Sequence, residues 1–192
     1  LPCARARLRM KTLFGGTSGQ VMRERHRLRR GDLLWILAYP LYQLIGTFRH
    51  EASHALVAVL QGARIREFVF WPGSAGSGFS WGYVSWSGPT TWLATAAPYL
   101  GDLATFALFF GVCTRVKLKR HWLWVNLVIM GMISPLVNTA YNYLNGLRGR
   151  GDVASLFQEL PNPAVHTYFV VTLLAYLAIL AWTLWPRKRL GD

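Results

Sequence analysis

The sequence predicts an all-α membrane protein of about four transmembrane helices, with a β-hairpin between the first and the second. Three observations carry that expectation. Four apolar stretches, at 33–60, 90–113, 122–144 and 164–185, are each long enough to span, because about 20 helical residues at 1.5 Å per residue cross about 30 Å of hydrocarbon. Only 15% of the 192 residues are charged and 53% are hydrophobic, whereas an ordinary soluble domain is about a quarter charged. The 21 Lys+Arg against 8 Asp+Glu, a net charge of +13, collect between the apolar runs. A nucleic-acid-binding face would instead spread them among stacking groups, so no nucleic-acid partner is expected.

Residues 1–31 form a basic tail, cytoplasmic or lying at the interface, with nine Lys+Arg and one acid, Glu24. The integral membrane domain is expected over 32–186, and a second basic tail over 187–192. The first span, 33–60, contains Pro40, and the third contains Pro135; both are expected to kink their helices, which a membrane bundle tolerates. Between the first two spans, 65–71 and 79–86 are rich in aromatic and branched residues. They flank Pro72-Gly73-Ser74-Ala75-Gly76-Ser77-Gly78, the pattern of a hairpin, 64–88, with a long flexible turn. Its aromatics, Phe68, Phe70, Trp71, Phe79, Trp81, Tyr83 and Trp86, suit the lipid headgroup region.

The charge pattern also predicts an orientation. Sixteen basic residues lie in the two tails and in the 115–120 loop, against four (Arg64, Arg66, Arg148 and Arg150) in the other two loops. By the positive-inside rule both termini are cytoplasmic. The predicted location is a bacterial cytoplasmic membrane, with lipid as a partner. Cys3 and Cys113 are too few for a disulfide framework or a cysteine zinc cage and read as free thiols.

The chemistry concentrates in Arg49-His50-Glu51-Ala52-Ser53-His54, an H-E-x-x-H pattern. On a helix His50 and His54 are one turn apart on the same face, so both imidazoles reach one metal ion, and Glu51 stands beside them to take a proton from an activated water. Zinc is the expected cofactor, with one coordination position left open. Ionisable groups in a span are costly and mark functional sites. A third protein ligand is required, and the acids available are Asp102, Asp152, Glu67 and Glu159. Asp152 is the first choice, because the glycine-rich run from Gly146 to Gly151 can fold it back toward the histidines. His26, His121 and His166 stand at or beyond span ends and are assigned no metal role.

With these residues in view, the sequence resembles the site-2 protease family of intramembrane zinc metalloproteases over roughly 45–157. The match is strongest from His50 to Phe70, where the motif runs through Gln61-Gly62 into the β-segment. Ala96-Ala97-Pro98-Tyr99-Leu100-Gly101-Asp102 is similar to the family's next core helix. Asn138, Asn142 and Gly151-Asp152-Val153 are similar to its Asn-bearing helix end and metal-completing aspartate, although the family's Asp-Gly order differs here. The resemblance implies His50, His54 and Asp152 as zinc ligands and Glu51 as the catalytic base. Asp102 could bind metal, pair with Arg49 or orient a histidine, the Arg49 pair being favoured. Asn138 and Asn142 could position substrate or join helices. The implied function is hydrolysis of peptide bonds in a transmembrane protein substrate. The alternative is a non-proteolytic accessory subunit of a larger membrane complex, bound to partner subunits.

Overall fold

The computed structural model describes residues 29–75 and 78–185; most of the basic N-terminal tail, Cys3, His26 and the C-terminal tail lie outside them. The described chain opens with a 3-10 segment, Arg30–Ala38, and passes directly into helix α1, Tyr39–Leu60. Pro40 stands in the first turn of α1, where its missing N–H costs nothing and its fixed φ suits helix entry. The expected mid-helix kink is therefore a junction between two helix types, and the α-helix begins at Tyr39 rather than Leu33. The 3-10 segment is tied to the bundle by Asp32, which accepts from the Arg29 backbone N–H at 2.6 Å and lies 2.9 Å from His121 Nε2. Burial pushes the Asp32 pKa up, but the Arg29 N–H and His121 outweigh it and hold the carboxyl below its ordinary value.

After α1, Gly62 takes φ +93°, a conformation that glycine adopts without steric cost, and turns the chain into the hairpin. Strands β1, Arg64–Val69, and β4, Tyr83–Ser87, pair antiparallel with an irregularity between Ile65 and Glu67. The intervening run is not simply a loose turn. Strands β2, Gly73–Ala75, and β3, Gly78–Ser80, extend the hairpin as a second short ribbon. Backbone pairing of Gly73 with Ser80, Ser74 with Phe79 and Ala75 with Gly78 makes this ribbon.

Helix α2, Trp92–Arg115, starts at Thr91, whose hydroxyl accepts from the Leu93 N–H at 3.3 Å as an N-cap does. Gln61 grips Thr91 through both ends of its amide, at 2.8 and 3.0 Å, which locks the end of α1 to the start of α2. The third long run is segmented. It comprises α3, His121–Val128, a π-helical turn, Ile129–Ile133, and α4, Ser134–Gly146. Pro135 lies in the first turn of α4, just beyond the π turn, so its kink is expressed as that widened turn. A Cβ on Gly131 within the turn would run into the Phe109 ring of α2, so close packing there requires glycine.

A left-handed pair, Gly149 (φ +73°) and Gly151 (φ +71°), reverses the chain into the short helix α5, Gly151–Glu159. Gly146 admits Val153 of α5 against its own backbone, so α5 folds back on α4. Helix α6, Asn162–Leu184, closes the bundle.

Three of the helical runs, 92–115, 121–146 and 162–184, are long and apolar enough to cross a membrane. Helix α1 has the length, at 22 residues, but is not among them; Gln43, Arg49, His50, Glu51 and His54 dilute its apolar content. One apolar cluster, Phe106, Trp124, Val125, Val128, Met132 and Tyr176, fills the end of the bundle near the 115–121 loop. A second, Tyr99, Val153, Leu156, Val165 and Phe169, lies under α5. Polar groups occupy the level between them.

Candidate metal centre

The buried residues of α1 include Thr47, His50, Glu51, His54 and Ala58, recurring at three- and four-residue spacing along one face. That face meets α2 and α4 closely because glycines stand at the contacts: Gly46 lies against Ser134, and Gly101 against Ser53. His50 and His54 therefore point into the bundle, 8% and 4% exposed, with ring centroids 5.0 Å apart.

The turn at Gly149–Gly151 brings Asp152, the first residue after the reversal, over these two rings. One carboxylate oxygen, Oδ2, lies 3.1 Å from His50 Nε2 and 3.2 Å from His54 Nε2. Together the three residues can offer ligand atoms within 4.8 Å of one another. Neither Asp102, Glu67 nor Glu159 belongs to this group. The Asp152 carboxyl sits outside the long apolar helices; burial pushes its pKa up, but hydrogen bonds with His50 and His54 outweigh that and hold it well below the usual carboxylate range.

The donor set suits a zinc ion. Ligand atoms about 2.1 Å from a tetrahedral ion stand about 3.4 Å apart, close to the separations found here. His54 is oriented for the same role. Its Nδ1 lies 2.8 Å from the Ala94 carbonyl, which can only accept, so Nδ1 keeps a proton and Nε2, turned toward Asp152, is the nitrogen that would bind a metal once deprotonated.

Around this centre the structure arranges a second tier. Arg49 donates to Asp102 Oδ1 at 2.6 Å, and Asn138 Nδ2 donates to Asp102 Oδ2 at 2.7 Å. The same Asn138 nitrogen is 3.2 Å from His50 Nδ1. Asn142, one turn further along α4, donates to both the side-chain and backbone oxygens of Asn138 at 3.0 Å. Asp102 thus lies behind Asn138 rather than among the metal-facing oxygens. Arg49, Asp102, Asn138 and His50 form one continuous chain across three helices.

Glu51 is 8% exposed, beside both histidines. Strand β4 packs against α1 and is paired along one edge to β1. His121 and His166 are elsewhere, against Asp32 and against the Tyr143 hydroxyl at 2.8 Å.

Three neighbours escaped the sequence reading. Tyr99 is 1% exposed, with its hydroxyl 3.5 Å from Asp152 Oδ2. The Trp86 ring lies 6.0 Å from His54. The Ala94 carbonyl fixes His54. Tyr99 stood in the quoted small-residue segment of α2, where its place next to Asp102 was the available signal. A backbone carbonyl carries none.

A sequence profile of the Peptidase M50B-like family matches residues 32–183, most of the chain. The chain belongs to the Peptidase M50B-like family. This is site-2 protease membership, in accord with the motif-based resemblance, and it makes a membrane metallopeptidase-type protein the general reading. The chain has no match among curated proteins or among solved structures.

Proposed function

We propose that this protein is an intramembrane zinc metalloprotease that hydrolyses a peptide bond in a membrane-embedded protein substrate. The observation that carries the reading is the convergence of Asp152 on both motif histidines, 3.1 and 3.2 Å from their Nε2 atoms. His50, His54 and Asp152 would hold the metal. When bound, zinc supplies Lewis-acid polarisation of the scissile carbonyl and lowers the pKa of a coordinated water.

The chain's own residues provide the rest. Glu51 takes the proton of the attacking water and returns it to the leaving nitrogen, general base then general acid. Its burial beside β4 keeps that proton exchange local. A transmembrane helix must unwind before its backbone can be cut, and the outer edge of β4 offers hydrogen bonds to the extended form. Strand β4 packs against α1, the helix that carries Glu51, so a strand laid along it runs near the base. Tyr99 and Asn138 steady Asp152 and His50 from behind. The orientation with both termini cytoplasmic, and α1 as a fourth span, belong to the same proposal.

The experiment is Glu51→Gln in detergent-solubilised protein with an unwound transmembrane peptide. Cleavage should fall by at least about 10²-fold while bound zinc stays unchanged. Persistent cleavage would remove Glu51 from its role. A zinc-loaded parent without cleavage of any membrane peptide, and with a cellular phenotype indifferent to Glu51→Gln, would instead favour the accessory-subunit reading.

A further inference from the structure

The third long helical run departs from α geometry at the π turn, Ile129–Ile133, and the departure leaves one backbone group without a helical partner. In an α-helix the Met130 carbonyl would accept from the N–H of the residue four further on, and in π geometry from that of the residue five further on. The Ser134 N–H bonds the Ile129 carbonyl instead. The next residue is Pro135, which has no N–H to give. In an apolar bundle an unpartnered carbonyl is costly, so a donor must come from elsewhere. Arg49 of α1 supplies it: Nη1 donates to the Met130 oxygen at 3.4 Å, while Nη2 donates to Asp102 Oδ1 at 2.6 Å. Asn138 Nδ2 lies 2.7 Å from the other Asp102 oxygen and 3.2 Å from His50 Nδ1. Hydrogen-bonding contacts thus run without a gap from the π turn to a metal-facing histidine.

We propose that Arg49 is a positioning residue for the metal centre and that the π turn exists to hold it. The freed Met130 carbonyl takes one arm of the guanidinium, the other arm fixes Asp102, and Asp102 fixes the Asn138 amide against the ring of His50. Single π turns inside α-helices are frequent at functional sites, and here two residues specify the turn. Pro135 removes the donor that would have satisfied Met130, and Gly131 lets the widened turn lie against the Phe109 ring of α2, where a Cβ would collide. Arginine is the residue this arrangement needs. Its planar fork offers two nitrogens to two acceptors on different helices, whereas a lysine ammonium is one compact point charge. The inference rests on His50, His54 and Asp152 holding a metal, and is independent of whether the protein cleaves anything.

Arg49→Lys in the full chain tests it, because lysine keeps the positive charge beside Asp102 but gives up the second arm. Isotope-edited infrared spectroscopy of protein made with carbonyl-labelled methionine reads the contact itself, the Met130 band being the one lost in Met130→Leu. In Arg49→Lys that band should move to higher wavenumber as its donor leaves; an unmoved band would overturn the proposal. Zinc affinity, measured by chelator competition, should fall by about tenfold, the lower end of what outer contacts to a metal ligand carry. In an Asn138→Ala background the path is already cut, so the same substitution should weaken zinc no further. An equal loss in both backgrounds would show that Arg49 does not act through Asn138 and would overturn the path. Equal zinc affinity in the parent and Arg49→Lys would overturn this inference alone, whereas a parent that binds no zinc would remove the metal reading and this inference with it.

Discussion

Helices α1 and α6 are nearly equal in length, 22 and 23 residues, yet they turn opposite chemistry toward the bundle. Inward, α1 places Thr47, His50, Glu51 and His54; outward it shows Leu41, Ile45, Phe48, Leu56 and Leu60. Helix α6 is apolar on its outer face, with Val170, Val171, Leu174 and Leu177 exposed, and buries Val165, Phe169, Thr172 and Tyr176. The difference shows what a lipid-facing protein demands of a functional helix. Lipid rejects polar groups, so a helix bearing ionisable side chains must hide them on its bundle side and show hydrocarbon outside. Averaged along its length, α1 loses the composition of a span while its outer face keeps the character of one.

The largest effect is expected at the ion pair between Arg49 of α1 and the buried Asp102 of α2. Arg49→Ala or Asp102→Ala alone leaves its partner's charge uncompensated and should cost about 3–5 kcal/mol, read as a drop in the thermal unfolding midpoint in detergent. Replacing the pair together with Met and Leu should recover most of that loss. A double variant no better than the singles would mean that Arg49 and Asp102 do not act as a pair. Smaller is the effect of Asn138→Ala, which removes the link from Asp102 to His50. Outer contacts of this kind change metal affinity by about 10–100-fold, measurable by competition with a zinc chelator; unchanged affinity would reduce Asn138 to a helix-joining residue. Smallest is Val171→Ala on the lipid face of α6, expected within about 0.5 kcal/mol of the parent. A larger loss would show that a protein surface, not lipid, covers that face.

Much of this was legible in the sequence, for a physical reason that differs from element to element. The His50–His54 spacing fixes a shared face as soon as the segment is helical, and the run Gly146 to Gly151 reads as a reversal because glycine takes φ > 0 freely. The hairpin's outer strands were visible in branched and aromatic runs. Its inner ribbon, β2–β3, was not, since glycine and serine give no strand signal and only backbone pairing makes it. Apolar length located the third long helix but could not reveal the π turn at Ile129–Ile133, where hydrophobic pattern is blind to helix type. Pro40 and Pro135 announced a disturbance without saying that each would sit at a junction. The contacts of Tyr99, Trp86 and the Ala94 carbonyl with the centre depend on how α1, α2 and β4 pack, which no local pattern encodes.

The central claim is that Asp152, carried back by the glycine turn, completes a metal site with His50 and His54. Zinc per chain in detergent-purified parent, Asp152→Ala and His54→Ala protein tests it most directly. The account predicts about one zinc in the parent, as three protein ligands with an open position bind, and far less in both variants. Full zinc in Asp152→Ala, or none in the parent, would contradict it.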